Sequence, residues 1–137
     1  MRAYIFKVTF AIIKSRSYSM NRIAVCCLWP WLHLLAFCVS NQLVSVKEDA
    51  INKSWRPLPS GRVSISVTSK LRWVLAPMCL AFSLFTDTFA ASVVLIIATF
   101  MYNEMSLHQH WASKTLFTAV GYGAFIAGSL MILSDPT

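Results

Sequence analysis

Four long apolar runs, separated by short polar segments, constrain the fold of this chain more than any other feature. Apolar residues make up 57% of its 137 residues, and charged residues only 12%. Runs of this length and composition are typical of membrane-spanning helices rather than of a soluble domain. We therefore predict an all-α polytopic membrane bundle of about four transmembrane helices. The runs cover residues 23–39, 73–85, 89–102 and 116–133.

The second and third runs are separated only by Thr86, Asp87 and Thr88. Two apolar segments with so short a polar break predict an antiparallel helical hairpin. One continuous helix is the competing interpretation, but it would place Asp87 near the middle of the membrane at a substantial cost. We therefore predict a tight polar turn at 86–88.

The distribution of Lys and Arg gives a prediction of topology. Segment 41–72 carries six of these residues, and an excess of Lys and Arg usually marks the cytosolic side. The basic N-terminal segment 1–22 carries five more. A single crossing would place the two segments on opposite sides, so we expect either a helix missing before residue 23 or an N-terminal segment lying flat on the membrane. A signal-anchor interpretation would instead place segment 41–72 outside. We therefore divide the chain into 1–22 and a transmembrane domain at 23–137.

The net charge of +7 does not indicate nucleic acid as a partner, because no recognition motif accompanies the basic residues. The polar segment 41–62 is more informative, since it combines the carboxylates of Glu48 and Asp49 with amides and several cations. Carboxylates bind divalent metals, and a metal with nearby Lys or Arg binds a diphosphate. This mixture at a membrane surface suggests chemistry on a lipid-like diphosphate. An ordinary solvated, charge-balanced loop is the alternative.

The polar segment resembles the first acidic motif of the UbiA family of membrane prenyltransferases. Asn41 takes the Asn position of that motif, Asp49 its last acidic position, and Arg-Pro-Leu-Pro-Ser-Gly at 56–61 the turn that follows. The sequence is most similar to the fungal branch, which includes terpene cyclases as well as transferases. Tyr-Asn-Glu-Met at 102–105 also resembles this branch.

The resemblance implies Mg²⁺-dependent transfer of an isoprenoid group from a prenyl diphosphate in the lipid bilayer, with the endoplasmic reticulum as the expected location. A terpene cyclase and a non-catalytic membrane protein are the alternatives. The implied metal ligands are Asn41, Asp49 and Glu48, and the implied diphosphate-binding residues are Asn52, Lys53 and Arg56.

The sequence also departs from the family pattern. Ser45 stands at the middle position of the motif, where many members have an acid, and the spacing from Asp49 to Arg56 is short. The family also has a second acidic motif, whereas Asp135 is the only acid after Met105. The chain therefore resembles an N-terminal half of the family fold, and we expect it to be inactive alone.

Three further groups of polar or aromatic residues give expectations. His33 lies within an apolar run and is predicted to form hydrogen bonds between helices, with a substrate contact as the alternative. We expect Arg62, Lys70 and Arg72 to anchor the chain at anionic lipid headgroups. The tryptophans are expected to form an aromatic belt at the membrane interface. They are Trp29, Trp31, Trp55, Trp73 and Trp111.

Overall fold

The structure, a computed structural model, describes residues 19–105, 107 and 110–134. Residues 1–18, which make up most of the basic N-terminal segment, lie outside the described residues, as does Asp135. The predicted all-α fold is confirmed. The helices are α1 (Met20–Val44), α2 (Val46–Asn52), α3 (Ile65–Phe85), α4 (Phe89–Glu104) and α5 (Trp111–Ser134).

The four longest helices correspond to the four predicted apolar runs. By length and composition, α1, α3 and α5 are long and apolar enough to cross a membrane, whereas α4 is apolar but has only 16 residues. Helix α1 packs against α3, α4 and α5, and α4 also packs against α3 and α5. The chain therefore forms a multi-pass helical bundle in which α1 and α4 each contact the other three long helices.

The predicted hairpin between α3 and α4 is confirmed. The Thr86 and Thr88 hydroxyl oxygens are 2.8 Å apart, and the Thr88 N–H donates to the Ser83 carbonyl over 3.0 Å. Asp87 has a φ of 52°, in the left-handed region that Asp tolerates better than most side chains do. These contacts reverse the chain between α3 and α4 within three residues.

Segment 41–62 is more helical than the sequence suggested. Residues 41–44 belong to α1, which continues beyond its apolar run, and residues 46–52 form α2. The N–H of Ser45 donates to the Asn41 carbonyl, and the N–H of Asp49 donates to the Ser45 carbonyl. These two backbone hydrogen bonds join α1 to α2 across Ser45, so the chain is helical on both sides of this residue.

The centre of the bundle is built around Trp29, which has no exposed surface. Its indole N–H donates to the Ser83 hydroxyl over 2.8 Å, and its ring lies directly against Gly128 of α5. The prediction that Trp29 belongs to an interfacial belt is therefore wrong. Ser83 satisfies the indole N–H inside the bundle, and the missing side chain of Gly128 provides room for the ring.

His33 links α1 to α4, as predicted. Its Nδ1 lies 2.9 Å from the Trp29 carbonyl, and its Nε2 lies 2.7 Å from the Ser92 hydroxyl. A carbonyl only accepts, so Nδ1 carries the proton and Nε2 accepts from Ser92. This chain of bonds fixes the register of α1 against its neighbours.

Candidate functional site

A polar cluster lies where α1 passes into α2. Asn41, Ser45 and Asp49 are spaced four residues apart, which places them on one helical face. The Ser45 hydroxyl lies 2.8 Å from both the Asn41 carbonyl and the Asp49 carboxylate. Asp49 is only 2% exposed, so a carboxylate is buried at the end of an apolar helix. We call Asn41, Ser45, Asp49, Lys53 and Arg56 the Asp49 cluster.

Two cations face the Asp49 carboxylate. Arg56 Nη1 lies 2.6 Å from Oδ2, and Lys53 Nζ lies 3.8 Å from Oδ1. Burial by itself raises the pKa of Asp49. Hydrogen bonds from Ser45 and Arg56, with the charges of Arg56 and Lys53, outweigh it and hold that pKa below its ordinary value. Asp49 is therefore ionised at neutral pH, as a metal ligand must be.

The Arg-Pro-Leu-Pro-Ser-Gly turn directs Arg56 back toward Asp49. The Ser60 N–H donates to the Arg56 carbonyl over 3.0 Å, and Leu58 is buried. Gly61 has a φ of 73°, a conformation for which glycine is the favoured residue. Arg62 closes the turn by donating to the Trp55 carbonyl. The turn is thus a compact, internally bonded unit that begins at its site cation.

Asn103 of α4 joins the cluster, although it was not among the predicted site residues. It is 1% exposed, and its side-chain oxygen accepts from the Asn41 amide over 3.3 Å. Its own amide donates to the Thr99 carbonyl over 2.9 Å. The sequence signal for Asn103 was its place in the 102–105 segment that resembles the family.

The predicted site residues do not all lie together. Asn41, Asp49, Lys53 and Arg56 are connected through the contacts above. Glu48 and Asn52 are exposed on α2. Within the part of the chain that the structure describes, no hydrogen bond or ion pair joins either of them to the Asp49 cluster. Glu48 and Asn52 are thus exposed to solvent, whereas Asp49 on the same short helix is buried.

The oxygen donors of the Asp49 cluster fit Mg²⁺ shared with a phosphate. Mg²⁺ commonly takes one or two carboxylates and completes its shell with water and substrate phosphate oxygens. Asp49 supplies one buried carboxylate, and Asn41, two helical turns earlier, carries a side-chain amide oxygen. Among the described residues, no group of three or more His, Cys, Asp or Glu side chains could hold a metal. Asp49 and Asn41 alone would therefore leave most of the coordination shell of a metal to other ligands.

A cavity of about 390 Å³ lies between the helices of the bundle, and none of the residues of the Asp49 cluster lines it. Helices α1, α3, α4 and α5 line it, mostly with apolar side chains, and His33 is part of its wall. Its polar lining includes Ser40, which precedes Asn41, Arg72 of α3, and Glu104, the last residue of α4. The cavity thus combines a mostly apolar wall with one arginine and one carboxylate.

The fold and the site together define a multi-pass integral membrane protein with a charged cluster at one end of its bundle. The model of the UbiA prenyltransferase family matches residues 5–136, and the chain belongs to that family. The match begins at residue 5, within the basic N-terminal segment 1–22. The suspected resemblance is thus confirmed, while the division at residue 22 stays a prediction.

Several curated proteins are similar to this chain. It is 35% identical over 122 residues to a fumagillin beta-trans-bergamotene synthase of Aspergillus fumigatus, covering 89% of this chain and 42% of that protein. It is 30% identical to a somaliensene A/B synthase of Streptomyces somaliensis, covering 80% and 37%. A diterpene cyclase of Hericium erinaceus is 30% identical, covering 80% and 36%.

The chain spans about two fifths of the length of these relatives. No solved structure matches it.

Proposed function

We propose that this chain supplies the first half of the active site of a UbiA-type membrane enzyme that acts on a prenyl diphosphate. The observation that carries the proposal is the Asp49 cluster, in which a buried and ionised carboxylate is bonded to Ser45 and Arg56 within a bundle that also encloses a mostly apolar cavity. A solvated, charge-balanced loop would not bury Asp49 to 2% exposure.

Asp49 and Asn41 would hold Mg²⁺, which when bound neutralises charge on the diphosphate. Lys53 and Arg56 supply cations for the diphosphate oxygens, and a guanidinium can bind two of them at once. The apolar cavity would hold the isoprenoid chain and keep water from a reactive carbocation. Glu48 and Asn52 have no contact with the Asp49 cluster in the described residues, so they are left out of this assignment.

Two reaction outcomes follow from the same diphosphate chemistry. The family description favours transfer of the isoprenoid group to an acceptor. The names of the three relatives, two synthases and one cyclase, favour internal quenching of the cation to give a terpene. A hydrocarbon product formed without an acceptor by the whole enzyme would select the cyclase.

The proposal predicts Mg²⁺-dependent binding of a prenyl diphosphate. The chain in phosphatidylcholine nanodiscs is titrated by isothermal calorimetry with farnesyl thiolodiphosphate, an analogue whose C–S bond resists cleavage to a carbocation. The titration is done once in Mg²⁺ and once in EDTA. We expect binding about tenfold or more tighter in Mg²⁺, because the metal bridges protein oxygens and phosphate. Equal affinity in both buffers would contradict the proposal.

As this 137-residue chain, the protein is expected to bind without turnover. One buried carboxylate provides too few ligands to bind all the metal ions and the diphosphate of a reacting complex. The chain incubated with Mg²⁺ and geranyl, farnesyl or geranylgeranyl diphosphate should release no diphosphate above background. Steady release that Asp49→Asn abolishes would overturn the half-site assignment.

The proposed topology places the loop before α3 in the cytosol, in membranes such as the endoplasmic reticulum. Ser60 is exposed in that loop and offers a site for a single-cysteine probe in a variant whose native cysteines are replaced. We expect a membrane-impermeant maleimide to label Ser60→Cys from the cytosolic side of sealed microsomes. Labelling only after the lumen is opened would reject this orientation.

A further inference from the structure

A second arginine–carboxylate pair lines the cavity, apart from the Asp49 cluster. Arg72 Nη1 of α3 lies 2.6 Å from Glu104 Oε1 at the end of α4, and both side chains line the cavity. The Arg72 side chain is 21% exposed, and its guanidinium lies 5.4 Å from the Trp73 ring centroid. Arg72 is therefore part of the cavity wall as well as a residue of the membrane interface.

We propose that Arg72 binds the phosphate-containing head of an amphiphile whose tail enters the cavity, in competition with the carboxylate of Glu104. The inference rests on the proposed function, in which that amphiphile is a prenyl diphosphate. A phospholipid headgroup has the same chemistry at a phosphate oxygen and is the other source of such a ligand.

The shape and charge of the cavity support this assignment. Its lining on α4 runs from Leu95 to Glu104, about 14 Å along the axis at roughly 1.5 Å per residue. Apolar side chains dominate this length, while Arg72 and Glu104 lie at one end. A ligand that matches this arrangement has one anionic head and one extended hydrocarbon chain.

Arg72 has donors to spare for such a head. A guanidinium carries five N–H donors in a planar fork, and the bond to Glu104 uses one of them. Glu104 directly follows Asn103, which bonds Asn41 of the Asp49 cluster. The end of α4 thus contacts Asn41 through Asn103 and Arg72 through Glu104.

A purely structural role is the alternative, in which the ion pair only joins α3 to α4. The two roles differ in what the Glu104 substitution does. If Arg72 binds the anion, Glu104→Gln removes a competing carboxylate and binding is not weakened. If the pair only joins the helices, Arg72→Gln and Glu104→Gln break the same contact and lower binding equally.

The test is calorimetric titration of the chain in phosphatidylcholine nanodiscs with farnesyl thiolodiphosphate in EDTA. Arg72→Gln should weaken binding by about tenfold to a hundredfold, because the free energy of a hydrogen bond between charged groups corresponds to a change in affinity of that size. Glu104→Gln should bind as tightly as the unmodified chain or more tightly. Lys70→Gln is the matched control, because Lys70 is an exposed cation of the same helix that does not line the cavity.

Equal losses in Arg72→Gln and Glu104→Gln, or in Arg72→Gln and Lys70→Gln, would overturn the proposal. Phosphatidic acid added to the nanodiscs distinguishes the two sources of phosphate. Displacement of the analogue by phosphatidic acid, lost in Arg72→Gln, supports the site and assigns it to a lipid headgroup. Retention of the analogue by the unmodified chain in phosphatidic acid, together with weaker binding in Arg72→Gln, supports the site and assigns it to the prenyl diphosphate. The Mg²⁺-dependent gain reports on Asp49 separately, so failure at Arg72 leaves the proposed function testable.

Discussion

Gly128→Ala is expected to destabilise the bundle strongly. A Cβ at position 128 would overlap the Trp29 ring, far inside van der Waals contact. The ring cannot easily move away, because it has no exposed surface and its N–H is bonded to Ser83. Overpacking of this kind costs about 1–3 kcal/mol, and a rigid aromatic neighbour favours the upper part of that range.

The measurement is unfolding of the chain from mixed micelles by SDS, followed by far-UV circular dichroism. Gly123→Ala provides the matched control in the same helix, because its Cβ would have no atom within 4 Å. Alanine is the better helix former by about 0.5–1 kcal/mol, so the control should be neutral or slightly stabilising. Equal midpoints for the two variants would mean that α5 does not approach Trp29 as described.

The fold could be predicted from the sequence because the membrane imposes length and composition on each helix. The four apolar runs and the break at 86–88 therefore located the four long helices. The role of Trp29 could not be predicted in this way. Periodicity does not reveal that Ser83 and Gly128, distant in sequence, provide a bond and a space for its ring.

The candidate site was predicted unevenly, for a similar reason. Asp49 and Arg56 were implied by the resemblance to the first acidic motif and the turn after it, and the structure brings them to 2.6 Å. The difference between Asp49 and Glu48 depends on which side of a short helix faces the bundle, which adjacent acids in a sequence do not show. Arg72 was expected at lipid headgroups, and its ion pair with Glu104 required knowledge of how α3 packs on α4.

Asp49→Asn is expected to abolish the Mg²⁺-dependent part of prenyl diphosphate binding. The substitution keeps the size of the side chain and its hydrogen bond with Ser45, but it removes the charge that a metal requires. Mutation of a residue that only supports a metal ligand already reduces metal affinity by about 10- to 100-fold. Removal of the ligand itself should reduce metal affinity by at least as much. Binding in EDTA should be unchanged or tighter, because Arg56 loses its competing carboxylate.

Glu48→Gln is the matched control for that substitution. It removes the same charge one residue away, from a side chain that is exposed on α2 and has no contact with the Asp49 cluster among the described residues. We expect this variant to keep the Mg²⁺-dependent gain. A long-range effect of net charge would instead act on both variants alike.

The most direct test of the half-site is therefore the ratio of farnesyl thiolodiphosphate affinities in Mg²⁺ and in EDTA, measured in nanodiscs for three chains. The account predicts a high ratio for the unmodified chain and for Glu48→Gln, and a ratio near one for Asp49→Asn. An Asp49→Asn ratio as high as that of the unmodified chain would contradict the assignment of Asp49 as the carboxylate that recruits the metal.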